Sequence, residues 1–159
     1  RMVRILLRGG FVGFVADRDF TDSGAPVALF GEVTTLPTGA VRMSRVTGAP
    51  IIPVFAVRDD ASGRAQRYAF FISDPFVVQR TADEEADVEA GLRQMAAVLE
   101  RYIAMFPEQW VMFQRVWPEE GKRHRLIDTI RAAAAGRRAA LRGPAGQPEP
   151  AADPADGQR

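Results

Sequence analysis

Cysteine is absent from the 159 residues, which excludes disulfides and thiolate-held metal sites. Histidine occurs once, at His124, so a histidine base within this stretch has a single candidate. No apolar run approaches the roughly 18 residues that a bilayer span needs. The stretch Ala49 to Val57 is apolar but too short, and Pro50 and Pro53 interrupt it. The beginning carries no charged-then-apolar leader ending in a small-residue cleavage site. Together these absences predict a chain that is soluble, or one that rests on a membrane without crossing it. The first residue is Arg1, with Met2 behind it, which predicts a piece of a longer protein.

What is present is ordinary globular composition. Apolar residues make up 47% and charged residues 26%, enough apolar side chain for one domain with a real core. The net charge of +1 hides an asymmetry. Between Lys122 and Arg142 lie seven Lys or Arg and one acid, Asp128, whereas acids gather at Asp83, Glu84, Glu85, Asp87 and Glu89.

The first region, to about residue 118, alternates short apolar runs with helical patterns, the signature of an α/β domain with a mixed sheet flanked by helices. Met2 to Arg8 reads as the end of a helix closed by Gly9-Gly10. Phe11 to Ala16, Val27 to Phe30, Ile51 to Val57 and Tyr68 to Ile72 read as strands. Turns are expected at Asp22 to Gly24 and Asp59 to Gly63. Pro37 suits the first turn of a helix ending at Gly48. From Asp83 to Met105, Val88, Leu92, Met95, Leu99 and Ile103 recur every three to four residues, an amphipathic helix capped by Thr81 or Asp83. The acids of its first turn suit the helix dipole, so they need no acidic binding surface to explain them. Residues 119–142 read as a basic, alanine-rich amphipathic helix. Residues 143–159 lack large apolar side chains almost entirely and are expected to be a disordered tail.

Three sets of residues carry candidate chemistry. Asp17-Arg18-Asp19 follows an apolar run. Two acids spaced this way suit a divalent metal, or a pair that orients an arginine toward an anion, or a plain solvated turn. Gly31-Glu32 also follows a strand, where glycine lets a substrate approach the backbone. Glu32 would face the same cleft as Asp17 to Asp19 if the strands are neighbours, since ligands of open α/β sheets bind beyond the strand ends; the alternative is a glycine turn with an exposed glutamate. His124-x-x-x-Asp128 has the look of a base with its orienting acid, but an i,i+4 pair on an exposed helix accounts for it. The arginines around that helix suit anionic lipid headgroups or plain solvation. Nucleic acid is not expected, because no aromatic platform accompanies them. Trp110, Phe113, Arg115 and Trp117 read as core packing or as a wall near a lipid-binding cleft.

Several blocks in order carry a resemblance. They are Gly13-Phe14-Val15-Ala16-Asp17-Arg18-Asp19, Val27-Ala28-Leu29-Phe30-Gly31-Glu32, Leu36-Pro37-Thr38-Gly39-Ala40, Thr47-Gly48-Ala49-Pro50-Ile51-Ile52-Pro53-Val54, Leu99-Glu100-Arg101, Pro107-Glu108-Gln109-Trp110 and Arg115-Val116-Trp117. In this spacing the chain resembles the bacterial lipid A biosynthesis acyltransferases and their relatives that acylate phosphatidylinositol mannosides. The resemblance implies a partial α/β acyltransferase fold and a peripheral enzyme on the cytoplasmic face of the plasma membrane. It implies transfer of a fatty acyl group from acyl carrier protein or coenzyme A to a glycolipid hydroxyl, with no further cofactor and no metal. It also implies a His-x-x-x-x-Asp motif upstream of Phe11, which this chain does not contain; His124 to Asp128 is one residue too short and lies on the wrong side of the domain. The chain alone is therefore expected to be inactive.

By the same resemblance, Gly31 and Glu32 stand in a block that contacts the acceptor head group or supports the base, and Ala49 to Pro53 stand in a strand lining the acyl or carrier site. Asp17, Arg18 and Asp19 form an acid-rich strand end on the substrate side. Two readings from other classes remain. One is a non-catalytic membrane-surface module acting through the basic helix, and the other is a metal-dependent glycosyltransferase fragment resting on Asp17 and Asp19.

Overall fold

A computed structural model describes residues 1–19, 23–58, 67–113 and 115–142, with side chains as far as Arg137. The order of elements is α1 (Met2–Leu7), β1 (Ala25–Leu29), β2 (Glu32–Leu36), α2 (Gly39–Thr47), β3 (Val54–Arg58), β4 (Tyr68–Ile72), α3 (Glu84–Met105), a 3-10 turn (Pro107–Gln109) and α4 (Glu120–Arg142). Helices and strands thus both form, and the α/β class stands. The strands pair as two antiparallel hairpins, β1 with β2 and β3 with β4, where the sequence pattern predicts a single mixed sheet. The expected turn at 59–63 and the expected tail lie outside the described residues.

The expected strand at Phe11 to Ala16 is not one. The segment has no ladder partners among the described residues, and Phe11 is 90% exposed. Apolar side chains alone do not make a strand; its backbone groups need a neighbour to bond. Phe14 turns instead toward the start of α2, where its ring would touch a Cβ placed on Gly39 at 3.0 Å. The run read from Ile51 becomes a strand only at Val54, because Pro53 supplies a carbonyl (to Ser73 N, 3.0 Å) but no N–H. Ile51 bridges to Phe76 instead.

The spine is α3. Asp83 caps it by accepting a hydrogen bond from Ala86 N at 2.9 Å, and Glu84, Glu85 and Asp87 fill its first turn. Its apolar stripe (Val88, Leu92, Met95, Leu99, Ile103) is buried against Val27 and Leu29 of β1, Leu36 of β2, Val41 of α2 and Val78. At its far end Tyr102 stacks on Phe55 of β3, with ring centroids 4.1 Å apart, and Phe71 of β4 leans on Phe106. One helix therefore holds both hairpins. The basic helix α4 packs across β1 and β2, tied by ion pairs from Arg123 to Glu32 (3.0 Å) and from Arg137 to Glu89 (2.5 Å).

A polar clamp joins α2 to the start of α3. Arg45 Nε donates to Asp87 Oδ2 at 2.8 Å, and the Thr81 N–H and hydroxyl donate to the same carboxylate at 2.8 Å each. The Thr81 backbone N–H holds the Asp87 carboxyl below its ordinary value of 3.8; burial opposes this, while the Thr81 hydroxyl and Arg45 reinforce it. A lowered folded-state pKa contributes stability that is complete above the unfolded value and disappears as pH falls through the folded one. The urea midpoint is accordingly expected to drop as pH falls below about 3.8, and Asp87→Asn is expected to flatten part of that acid limb. An identical acid limb in the variant would show that other carboxylates carry it.

Candidate functional site

Two cavities meet at Asp17. The larger holds about 1080 Å³ and is lined on one side by residues 9–17. Its floor is Met95, Val98, Leu99 and Tyr102 of α3, and its walls are Met43 of α2, residues 49–57 and Trp110. Its lining is predominantly apolar, which the chain arranges by giving α3 an apolar stripe longer than the first hairpin covers. The smaller cavity, about 590 Å³, lies between β2 and the start of α4. It is lined by Asp17, Arg18 and Asp19, by Thr34 and Thr35, and by Arg115, Glu119, Lys122 and Arg125. Both volumes are close to those of ligand sites, roughly 300–1,000 Å³.

The residues singled out from the sequence divide between these places. Asp17, half-buried, lines both cavities, and Arg18 and Asp19 line the smaller one. Asp19 also holds the local backbone in place, since its Oδ2 accepts from Gly24 N at 2.7 Å. A Cβ on Gly24 would stand 2.6 Å from both that oxygen and the Leu36 carbonyl oxygen, so only glycine permits this close approach.

Gly31 and Glu32 are elsewhere, and the expectation that Glu32 shares a cleft with Asp17 to Asp19 is not met. Phe30 and Gly31 form the two-residue tip of the β1–β2 hairpin, with φ of 52° and 78°. Positive φ at both central positions is what the twist of a tight hairpin requires. Gly31 serves there by its backbone angle, since a Cβ on it would meet nothing within 4 Å. Phe30 adopts the left-handed region at a cost of about 1–2 kcal/mol, offset in part by Glu100, whose Oε1 accepts from its N–H at 2.5 Å. Glu32, exposed on β2, pairs with Arg123 and lines neither cavity.

The aromatic and arginine cluster splits as well. Trp110 lines the larger cavity, and its buried indole N–H has no hydrogen-bond partner among the described residues. Trp117 meets Trp110 edge-on, with centroids 6.4 Å apart, and donates to the Leu29 carbonyl at 3.2 Å. Arg115 lines the smaller cavity beside Glu119, 3.2 Å away, and Phe113 is 89% exposed. His124 is exposed on α4, and Asp128 lies 4.0 Å from Arg131. Among the described residues no group of three or more His, Cys, Asp or Glu is placed to hold a metal ion. Nor is any described helix long and apolar enough to cross a membrane.

Sequence reasoning missed Val98, Met95 and Tyr102 as cavity walls, because a cavity floor and a core face have the same apolar periodicity. It also missed Lys122 and Arg125 as walls of the polar cavity; the basic helix was visible, but its docking place was not.

The α/β scaffold thus carries two adjoining cavities, one predominantly apolar and one lined by charged side chains. The chain belongs to the family described as bacterial lipid A biosynthesis acyltransferase, whose model matches residues 1–119. Over 106 residues it is 30% identical to a phosphatidylinositol mannoside acyltransferase of Mycolicibacterium smegmatis, a stretch covering 65% of this chain and 31% of that protein. The phosphatidylinositol mannoside acyltransferase of Mycobacterium tuberculosis H37Rv is 29% identical over 106 residues, covering 67% of this chain and 30% of that protein. The match therefore spans under a third of the length of these relatives.

Proposed function

We propose that this chain forms part of an enzyme that transfers a fatty acyl group from a thioester of acyl carrier protein or coenzyme A to a hydroxyl of a glycolipid at the cytoplasmic membrane surface. The observation that carries the reading is the apolar chamber of about 1080 Å³ opening beside a charged one at Asp17. The first suits an aliphatic chain, and the second suits a polar head. In the transfer the acceptor oxygen attacks the thioester carbonyl carbon, the hydroxyl proton passes to a base, the C–S bond breaks, and the base returns that proton to the departing thiolate. This chain supplies walls for that reaction. The only histidine, His124, has Thr129 five positions on, so the His-x-x-x-x-Asp base is not among these residues.

The test is an acyl-transfer assay on the full-length enzyme with thioester donors and with mannosylated inositol lipids and lipid A precursors as acceptors. Mass spectrometry is expected to show a product heavier than the acceptor by one acyl group. No transfer to any glycolipid hydroxyl would remove the proposal.

Glu32→Ala in that enzyme is expected to lower turnover through loss of support to the base that the rest of the enzyme supplies, while folding survives. Its pair with Arg123 is largely exposed, with side chains 56% and 36% accessible, so its loss should cost under about 1 kcal/mol. Unchanged kcat in a folded variant would show that Glu32 only tethers α4. The membrane-module reading draws less support, because Arg123 and Arg137 of the basic helix are engaged by Glu32 and Glu89 of the domain.

A further inference from the structure

We infer that the smaller cavity is a binding site for a singly charged phosphodiester. The inference rests on the acyltransferase reading and names the headgroup chemistry that the charged chamber takes. Four cations converge on it from three stretches of chain: Arg18 from the bend before β1, Arg115 from the turn before α4, and Lys122 and Arg125 from the first turns of α4. They outnumber by one the carboxylates on the same wall, Asp17, Asp19 and Glu119.

Formal charge therefore matches a monoanion better than a terminal phosphate or a diphosphate, either of which would leave negative charge uncompensated. The carboxylates are also partly engaged: Asp19 holds the Gly24 N–H, and Glu119 sits 3.2 Å from Arg115. The Arg115–Glu119 pair is 77% and 78% exposed, so exchanging it for a phosphate oxygen costs little. Cation-to-phosphate hydrogen bonds are charge-assisted and stronger than neutral ones, and arginine offers them in pairs.

The apolar chamber continues from the same residue, Asp17. A ligand seated in both must carry its phosphodiester near an aliphatic chain. Two molecules of the proposed reaction have that chemistry. One is a glycerophospholipid acceptor with a sugar or polyol head; the other is the phosphopantetheine arm that joins an acyl thioester to its carrier protein.

The test is calorimetric titration of the full-length enzyme at low ionic strength with two soluble probes, glycerophosphoinositol and a phosphopantetheinylated serine peptide. Uncharged myo-inositol serves as the control. At least one phosphodiester is expected to bind where myo-inositol does not, and to bind more weakly in added salt. Lys122→Ala and Arg125→Ala, at exposed positions on α4, are each expected to weaken binding by roughly three- to tenfold. Arg131→Ala removes the same charge from the same helix outside the cavity and is expected to leave binding unchanged.

Binding of glycerophosphoinositol assigns the site to the acceptor, and binding of the peptide alone assigns it to the donor arm. No binding of either probe, or equal losses with Arg131→Ala and Lys122→Ala, would overturn the inference. Calorimetric titration with a fatty acid reports separately on the apolar chamber. A chain that takes the fatty acid but no phosphodiester would defeat this inference alone and leave the acyltransferase reading intact.

Discussion

Gly91→Val is expected to lower the unfolding free energy by about 3 kcal/mol, near the upper end of what overpacking a core costs. Gly91 lies in the buried face of α3, where α2 and the segment after β4 press closest. A Cβ there would stand 2.6 Å from Val41 Cγ1 and 2.9 Å from Val78 Cγ2. Neither neighbour has room to withdraw, since Val41 is fully buried and Val78 is 5% exposed. Valine adds two further methyls to that contact. Glycine inside a helix is itself unfavourable by about 1 kcal/mol relative to alanine, so it is kept for the approach it permits rather than for helix formation. Gly91→Ala separates the effects: it gains the propensity but still meets Val41, and should be destabilising by less than the valine. Urea titration followed by helical circular dichroism measures both. A valine variant within about 0.5 kcal/mol of wild type would mean that α2 slides away from α3 without penalty.

The same helix shows where sequence and structure agree best. The period of Val88, Leu92, Met95, Leu99 and Ile103 predicts its buried face, Asp83 predicts its cap, and Pro107 after its end predicts its stop. The strand Tyr68–Ile72 and the left-handed cap at Gly48, with φ of 72°, are equally legible, because each is decided by local chemistry. The failures fall where a distant partner decides. Phe11 to Ala16 has strand-like composition but no neighbouring strand among the described residues. Gly31 looks like a strand stop, whereas it is the tip of a hairpin whose return strand, Glu-Val-Thr-Thr-Leu, directly precedes a proline. Phenylalanine at the first tip position hides the turn, since Asn-Gly and Asp-Gly are its usual signals.

The site follows the same division. Asp17 to Asp19 stand out as charges at the end of an apolar run, and they do line the cavities. Glu32 stands out for a similar reason, yet its partner Arg123 lies 91 positions away on a helix whose docking no local pattern encodes. The face of the second hairpin that carries Phe70 and Ile72, each 68% exposed, is as apolar as a core strand and has no cover among the described residues. Composition alone does not distinguish its buried side from its bare one.

Filling the apolar chamber gives the largest expected effect on activity. Val98→Trp in the full-length enzyme is expected to cut transfer of a sixteen-carbon acyl group by more than tenfold while sparing a much shorter one. Val98 is the suitable position because it projects from the middle of α3, a rigid and well-anchored helix, and is only partly buried, so it lines the chamber without belonging to the core cluster. Tryptophan adds several methylene volumes there. Each methylene excluded from an apolar pocket is worth roughly 10–200-fold in discrimination, so losing even one or two at the chamber floor is enough to invert the preference for chain length. Two alternatives predict different data. If the chamber only completes the fold, Val98→Trp changes stability and leaves the ratio of long-chain to short-chain kcat/KM untouched. If it holds the acceptor's lipid tail instead of the transferred acyl group, the ratio across donors is constant and the KM for the acceptor rises. Only a donor-length-dependent fall in kcat/KM, with the acceptor KM unmoved, assigns the chamber beside Asp17 to the acyl group in transit.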